Sequence, residues 1–422
     1  MKHFLIPAMS ALLILASCAT SRHQTTTSKD DLILIEKYLT SPLLAGRATG
    51  SEGDSLARQF IRSELKKAGL KPFIGNGFEY FQARVPYLPA NADSLSHKMV
   101  TTANVAMVLE GTDPVLKSEY VIIGAHYDHL GMGGPGSSSR NRDTIAVHPG
   151  ADDNASGVTL LIELAKRVAS NKKGFPRSIV FVGFSGEELG LLGSRYFDAH
   201  LPVKPSDVNI MINLDMVGRM KDGNFLQAGG VGTATGLRDS VAALADTSLL
   251  HITFTDEGSG PSDHFSFYAD SIPVLFFTTG THTDYHLPSD TFDKLNYEGM
   301  IRITDLVYKI ISKSSTNSGR YKFQLSGPQV QQPMGKRGGV TLGIMPDVAG
   351  VVKNGLRADL VTPGKPAALG GMKKGDIIIS IENKPVNDIY EYMKRLNELK
   401  PGQRITVEVL RNGKKEILII QL

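Results

Sequence analysis

The sequence predicts an α/β fold, a mainly parallel sheet with helices on both faces, followed by a small β-rich unit. Four short runs point to the sheet: residues 120–125 (YVIIGA), 178–184 (SIVFVGF), 208–214 (VNIMINL) and 273–278 (PVLFFT). They are apolar throughout instead of alternating, as strands buried on both faces are. Helical patterns separate several of them, the usual connection between parallel strands. The smaller unit rests on a change of composition after Ile311. There SKSSTNSGR and SGPQVQQPMGKRGG hold little apolar material, and strand and turn signals return from Val340 onward.

In chain order, the 422 residues open with Lys2, an apolar stretch over 4–16 and Leu15-Ala16-Ser17-Cys18. The stretch is shorter than the roughly 20 apolar residues of a spanning helix and has the make-up of an export signal. LASC resembles the lipobox of bacterial lipoproteins, which implies cleavage after residue 17 and a lipidated Cys18. Residues 18–29 then read as a tether, and the protein is expected to be lipid-anchored in the bacterial cell envelope, outside the cytoplasm. Cys18 is the only cysteine in the sequence, so no disulfide forms within one chain. A net charge of +4 with no dense Lys/Arg block argues against a nucleic-acid partner.

The pattern over 30–70 is helical but broken at SPLLAGRATGSEG, with a helix expected over 55–68 on the spacing of Phe60, Ile61 and Leu65. Residues 154–169 predict another, with Val158, Leu161, Ile162, Ala165 and Val168 on one face. Residues 134–150 are rich in Gly and Ser and read as a loop over the sheet. The domains expected are 30–311, a linker over 312–338, and 339–422. In the last of these, 404–410 and 416–422 flank Asn412-Gly413, a strong hairpin signal.

The chemistry lies where the four strands end. They run into His126-Tyr127-Asp128, Glu187-Glu188, Asp215 and, through a loop, Asp284-Tyr285-His286. Open α/β sheets gather function at the carboxyl ends of their strands. GADDNASG adds Asp152 and Asp153 side by side before a helix, where one acid would suffice as a cap. Two histidines with several carboxylates and no cysteine form the donor set of catalytic zinc or another divalent ion. Two Zn²⁺ ions bring four positive charges. Asp152, Glu188 and Asp215 supply three negative charges and a shared hydroxide the fourth. Ions ~3.5–4 Å apart clamp an attacking oxygen and polarise a carbonyl.

These motifs resemble the co-catalytic two-zinc aminopeptidases, a metallopeptidase family with glutamate-carboxypeptidase relatives, from about Leu43 to about Leu295. The resemblance implies a zinc-exopeptidase fold, two Zn²⁺ per chain and a role for each matching residue. His126 of AHYDH is a ligand, oriented by Asp128. Asp152, the first acid of GADDNASG, bridges the ions, with Asp153 outside the ligand shell. Of SGEELGLLGS, Glu187 is the general base and Glu188 a ligand. NLDMVGR gives Asp215 and DYHLPSDT gives His286. His126 and Asp215 are expected on one ion, Glu188 and His286 on the other. Tyr285 matches a tyrosine that stabilises the oxyanion in some relatives; a core tyrosine would read the same way. His282 is a rival ligand, Asp263-His264 a pocket motif or a plain turn, and His129 and His148 surface or loop histidines.

The reaction implied is removal of N-terminal residues from peptides. Carboxypeptidase or dipeptidase action uses the same ligands, and a non-catalytic peptide-binding scaffold would show broken ones. Glutaminyl cyclase, another relative, uses one zinc and an indole-lined pocket, and this sequence has no Trp. After the linker, VTLGIMP, KKGDIIISIENKPV and a helix over 388–399 resemble a PDZ domain of the bacterial type. That implies capture of an extended peptide or protein C-terminus at Leu342, Gly343 and Ile344. TLGI stands in place of the common Gly-Leu-Gly-Phe, so a purely structural cap remains open.

Overall fold

The computed structural model describes residues 27–87, 96–141, 143–221, 223–326, 340–346, 354–361, 364–387 and 389–422. Cys18, the export signal and residues 327–338 of the expected linker lie outside the described residues. Among the described residues no helix is long and apolar enough to cross a membrane.

The chain begins with α1 (Lys29–Leu39) and α2 (Glu52–Lys67), the second opened by Ser51, whose hydroxyl accepts the Asp54 N–H at 3.1 Å. A short β1 (Lys71–Pro72) precedes a long antiparallel hairpin of β2 (Phe78–Tyr87) and β3 (Ser96–Leu109). The α/β part then runs β4 (Tyr120–His126), α3 (Gly157–Ser170), β5 (Ser178–Phe184), α4 (Leu192–Ala199) and β6 (Val208–Leu214). It continues through β7 (Phe225–Gly229), α5 (Leu237–Leu244), β8 (His251–Phe254), α6 (His264–Ala269), β9 (Val274–Thr278) and α7 (Tyr297–Thr316).

The strands form one nine-stranded sheet in the order β1-β3-β5-β4-β6-β9-β7-β8, with β2 on β3. Its centre, β5-β4-β6-β9, is parallel, and its flanks turn antiparallel at β3 and β7. The four apolar runs are these central strands. A large apolar cluster fills the face under α1, α2, α3 and α7, and a second, around Phe184, Phe197 and Phe267, fills the face under α4 and α6. The doubly covered parallel sheet expected from the sequence is present. The hairpin β2–β3 is not among the expected elements, because the outer half of β3, SHKMVT over 96–101, neither alternates nor forms an apolar run and is little buried.

The boundary expected at Ile311 falls too early. Helix α7 runs to Thr316, and the chain after it stays on the sheet domain. Tyr321 N–H donates to Asn209 at 2.7 Å, Phe323 bridges Ala234, and Ser326 exchanges hydrogen bonds with the Tyr268 hydroxyl at 2.7 and 3.0 Å. Phe323 also lies 5.6 Å from the Tyr268 ring. The sequence hid this because two aromatics spaced among Lys, Arg and Gln look like a linker. A chain ending at residue 326 is expected to fold with an unchanged melting midpoint. One ending at 318 loses this clasp and about 1–3 kcal/mol of stability, read by thermal melting.

The second unit comprises β10 (Ile344–Pro346), β11 (Leu356–Val361), α8 (Pro366–Leu369), β12 (Ile377–Ile381), β13 (Lys384–Pro385), α9 (Ile389–Glu398), β14 (Arg404–Arg411) and β15 (Lys414–Gln421). Its sheet is antiparallel, ordered β10-β11-β12-β14-β15, around its own core of Leu342, Ile378, Val407 and Ile420 among others. Asn412 and Gly413 both take positive φ at the β14–β15 turn, as the hairpin signal required. Asp376 is pinned by Arg411 through two contacts, 2.8 and 2.6 Å.

Candidate metal centre

The carboxyl edge of the central sheet brings the chemistry together. His126 ends β4, Asp215 follows β6 directly, and Glu187 and Glu188 lie three and four residues past β5. His286 comes in on the loop after β9 with a positive φ of 56°, stacked against Tyr285 with ring centroids 3.8 Å apart. Arg47, fully buried, ties the edge down from beneath. Its guanidinium donates to the carbonyls of Leu39, Tyr127, Pro149 and Gly150 at 2.6–2.9 Å. These hydrogen bonds join the N-terminal segment to the loop that delivers the acid pair. Arg47→Met would remove this donor from the carbonyls of Leu39, Tyr127 and Pro149, leave Gly150 only the Ala155 N–H, and take from the buried Glu36 a cation that lowers its pKa. It is expected to cost about 3–5 kcal/mol, measured as a fall in the melting midpoint.

Two groups of donors meet at one carboxylate, and that carboxylate is Asp153. His126 Nε2 lies 3.3 Å from Asp153 Oδ1 and 3.4 Å from Asp215 Oδ1. His286 Nε2 lies 3.0 Å from Asp153 Oδ2 and 3.2 Å from Glu188 Oε1. The pairing expected from the sequence, His126 with Asp215 and Glu188 with His286, is the pairing in space. The central acid is not the one expected. Asp152 turns inward, its Oδ1 accepting Gly218 N–H at 2.6 Å and Ser156 Oγ–H at 3.1 Å, while Oδ2 faces His282 Nε2 at 3.2 Å. The loop sets this choice: Asp290 Oδ2 accepts the N–H groups of both Asp152 and Asp153, at 2.9 and 3.2 Å. The Asp153–Asn154 peptide bond is cis. Adjacent side chains leave a backbone in different directions, and the sequence does not say which one reaches the histidines.

Other expectations also change. His129 is no surface residue: its ring is buried and its Nδ1 lies 2.9 Å from Glu188 Oε1. His148 is buried too, held by Ser139 and the Ala146 carbonyl at 2.9 Å each. His282 sits behind the site with Asp152 and Asp290, not in either group. Asp128 is where the sequence put it. Its carbonyl faces His126 Nδ1 at 3.2 Å, and its carboxylate accepts Thr49 Oγ1–H and Glu187 N–H at 3.0 and 3.1 Å. The corresponding support for His286 is the Ser138 carbonyl, 3.0 Å from Nδ1, from the Gly/Ser-rich loop. His264 is stacked on Phe276 at 4.5 Å, where burial pulls its pKa down to about 3.

The electrostatics call for cations. Burial disfavours charge on His126, yet Glu187, Asp215 and Asp153 outweigh it and hold the imidazole well above its ordinary range. For His286 burial is likewise outweighed, by Glu188 and Asp153. Among the described residues every ion pair of Asp153 is with an imidazole, and Asp215 Oδ1 is buried with no hydrogen-bond partner. Protonated histidines here do work that divalent ions do better. The donors, oxygen and imidazole nitrogen 3.0–3.4 Å apart, fit zinc with bonds of ~2.0–2.2 Å. Two overlapping groups, His126–Asp153–Asp215 and His129–Asp153–Glu188, are each close enough to hold an ion. Burial pushes the Glu187 carboxyl well up, with Glu188, Asp263 and Asp215 adding to the rise and His126 opposing it.

A mixed sheet with a parallel centre and this paired donor set at its carboxyl edge defines the zinc-exopeptidase fold. Solved structures agree: LapA aminopeptidase of Legionella pneumophila (TM-score 0.51, 23% identity, 69% of this chain and 72% of that one) and the zinc aminopeptidase BSAP of Bacillus subtilis (0.54, 17%, 70% and 95%) share the fold. Residues 104–311 match the family model for peptidase family M28, and residues 339–422 match that for the PDZ domain. Residues 104–311 thus form a metallo-aminopeptidase-like domain of the M28 type, and residues 339–422 a PDZ domain. Among curated relatives, aminopeptidase YwaD of Bacillus subtilis is 34% identical over 181 residues, covering 39% of this chain and 38% of its own length. The uncharacterized protein YfbL of Escherichia coli is 29% identical over 225 residues, 46% and 67%. Together with a probable leucine aminopeptidase of Arthroderma otae, these are matched over 38–67% of their own lengths.

Proposed function

We propose that the protein is a two-zinc exopeptidase that removes N-terminal residues from peptides. The observation behind this is Asp153 between two carboxylate–imidazole groups, with Glu187 beside them and its carboxyl pushed up by burial. In this reading His126 and Asp215 hold one ion, Glu188 and His286 the other, and Asp153 both. When bound, the ions polarise the scissile carbonyl and make the attacking water more acidic. Glu187 takes the proton from that water and passes it to the departing amine. Its amide is fixed to the Asp128 carboxylate while the Asp128 carbonyl faces His126, so the base and the orientation of His126 depend on one residue. Tyr285 keeps its proton, because burial and the surrounding Asp153, Glu188 and Glu187 push its pKa well up. A phenol held neutral is a donor for the oxyanion.

A cavity of about 230 Å³ adjoins Glu188, walled by Thr49, Val85, Met132 and Leu189. Its lining is mixed, with His129, Ser137 and Ser138 beside Val85, Met132 and Leu189, whose apolar surface suits an aliphatic side chain. The test is a screen of aminoacyl anilides against N-blocked peptides, with metal analysis. Cleavage of the free-amine substrates at two zinc per chain supports the reading; cleavage confined to N-blocked peptides with a free carboxylate overturns it in favour of a carboxypeptidase.

Two further assignments belong here. The PDZ domain offers β10 as the end strand of its sheet, with Gly343 at φ 74° just before it, an edge to which a peptide adds. Leu342 is buried in the core, so Gly343 and Ile344 are the residues that meet a ligand. Removing the domain at residue 326 should spare small aminoacyl substrates and alter preference among long peptides. The address is the other: lipid on Cys18 anchors the protein in the envelope. The protein is expected in the membrane fraction with a modified N-terminus, and Cys18→Ala is expected to abolish both. Unmodified Cys18 in soluble wild-type protein would end that assignment.

A further inference from the structure

We propose that His129 is a ligand of the second ion, alongside Asp153, Glu188 and His286, so that this position has two imidazoles. This rests on the two-metal reading above. His129 lies three residues beyond the end of β4, its N–H tied to the Arg47 carbonyl at 3.2 Å. Its ring packs over Gly150, where an added Cβ would come within 2.5 Å of the ring. The ring is thus fixed in direction before any ion arrives.

The direction is informative. His129 Nδ1 lies 2.9 Å from Glu188 Oε1 and 3.7 Å from Asp153 Oδ2. These are the same two oxygens that His286 Nε2 reaches at 3.2 and 3.0 Å. An imidazole that served only to steady Glu188 would be expected on the other carboxylate oxygen, leaving Oε1 to the ion. Here both rings address one space, bounded by Oε1 and Oδ2. His129, Asp153 and Glu188 already make a donor group by themselves. The ring centroids of His129 and His286 are 5.7 Å apart at 68°, so the two approach from different sides. Nε2 of His129 is buried with no hydrogen-bond partner among the described residues. Among the described residues, the ring's nitrogens meet only Glu188 and Asp153, the acids of the same donor group. A neutral imidazole adds a donor without altering the charge balance, so its effect falls on affinity and coordination number.

The full-length protein, stripped of metal, is titrated with Zn²⁺ by calorimetry as wild type, His129→Ala and His129→Gln, with folding followed by circular dichroism. Zinc-edge X-ray absorption then counts the imidazoles. The expected result is two ions in all three, with the second bound at least ~10-fold more weakly in both variants and the first unchanged. The imidazole count should fall from three over two ions to two. Unchanged affinity overturns the proposal. So does weakened binding with an unchanged count, or full rescue by glutamine, which returns a hydrogen-bond donor but no imidazole. If alanine fails to fold, glutamine and the wild-type count decide alone. A wild type that takes up fewer than two ions overturns the two-metal reading instead.

Discussion

Glu187→Gln is expected to keep both zinc ions and lose ~10²–10⁴-fold in turnover, the usual range for a missing general base. The substitution keeps the side chain's volume and leaves the Glu187 N–H on Asp128 untouched, so local structure should survive. What it removes is the carboxylate that this reading assigns to take a proton and return it. The loss should appear in kcat with little change in KM, because an amide still accepts and donates hydrogen bonds to bound peptide. Metal analysis and kinetics on the same preparation check it. Near-normal turnover at full zinc loading would remove Glu187 from the role of base.

Replacing Asp153 by Ala is expected to be the most damaging single change at the site, and the same change at Asp152 far milder in metal content. Asp153 faces His126 through one oxygen and His286 through the other, so its loss releases both groups at once. Zinc content should fall below one ion per chain and activity with it. Asp152 faces backbone and His282, so Asp152→Ala should retain zinc while lowering the melting midpoint through the lost Gly218 and Ser156 contacts. A buried hydrogen bond to a charged group contributes about 1.5–3 kcal/mol. Equal zinc loss from the two variants would show that the acids act as a unit.

Much of the architecture was legible because burial leaves a mark in composition. The strands β4, β5, β6 and β9 read as uninterrupted apolar runs, and each pointed to the acid or histidine that follows it. The reading failed where the deciding quantity is direction and not composition. Asp152 and Asp153 are chemically identical neighbours, and only the loop held by Asp290, far along the chain, decides which turns outward. His129 failed differently. A histidine in a Gly-rich neighbourhood resembles a loop residue, and the ring's burial comes from Gly150 and Glu188, distant in sequence. The residues after α7 were misread because Tyr321 and Phe323 gain their partners from Asn209 and Tyr268, which no local window contains.

The reach of these contacts fixes when the site can come into being. Arg47 waits for carbonyls up to Gly150, and the amides of Asp152 and Asp153 wait for Asp290. A chain emerging from the ribosome therefore has no ion-binding geometry until nearly 300 residues are present. Metal capture is then a late event of maturation and not its seed, unlike a zinc finger, whose ligands are close in sequence. The ion's free energy goes to a fold that has already formed, and zinc met by the incomplete chain would have nowhere to stay. The compartment in which the finished protein resides would thus decide which metal fills it.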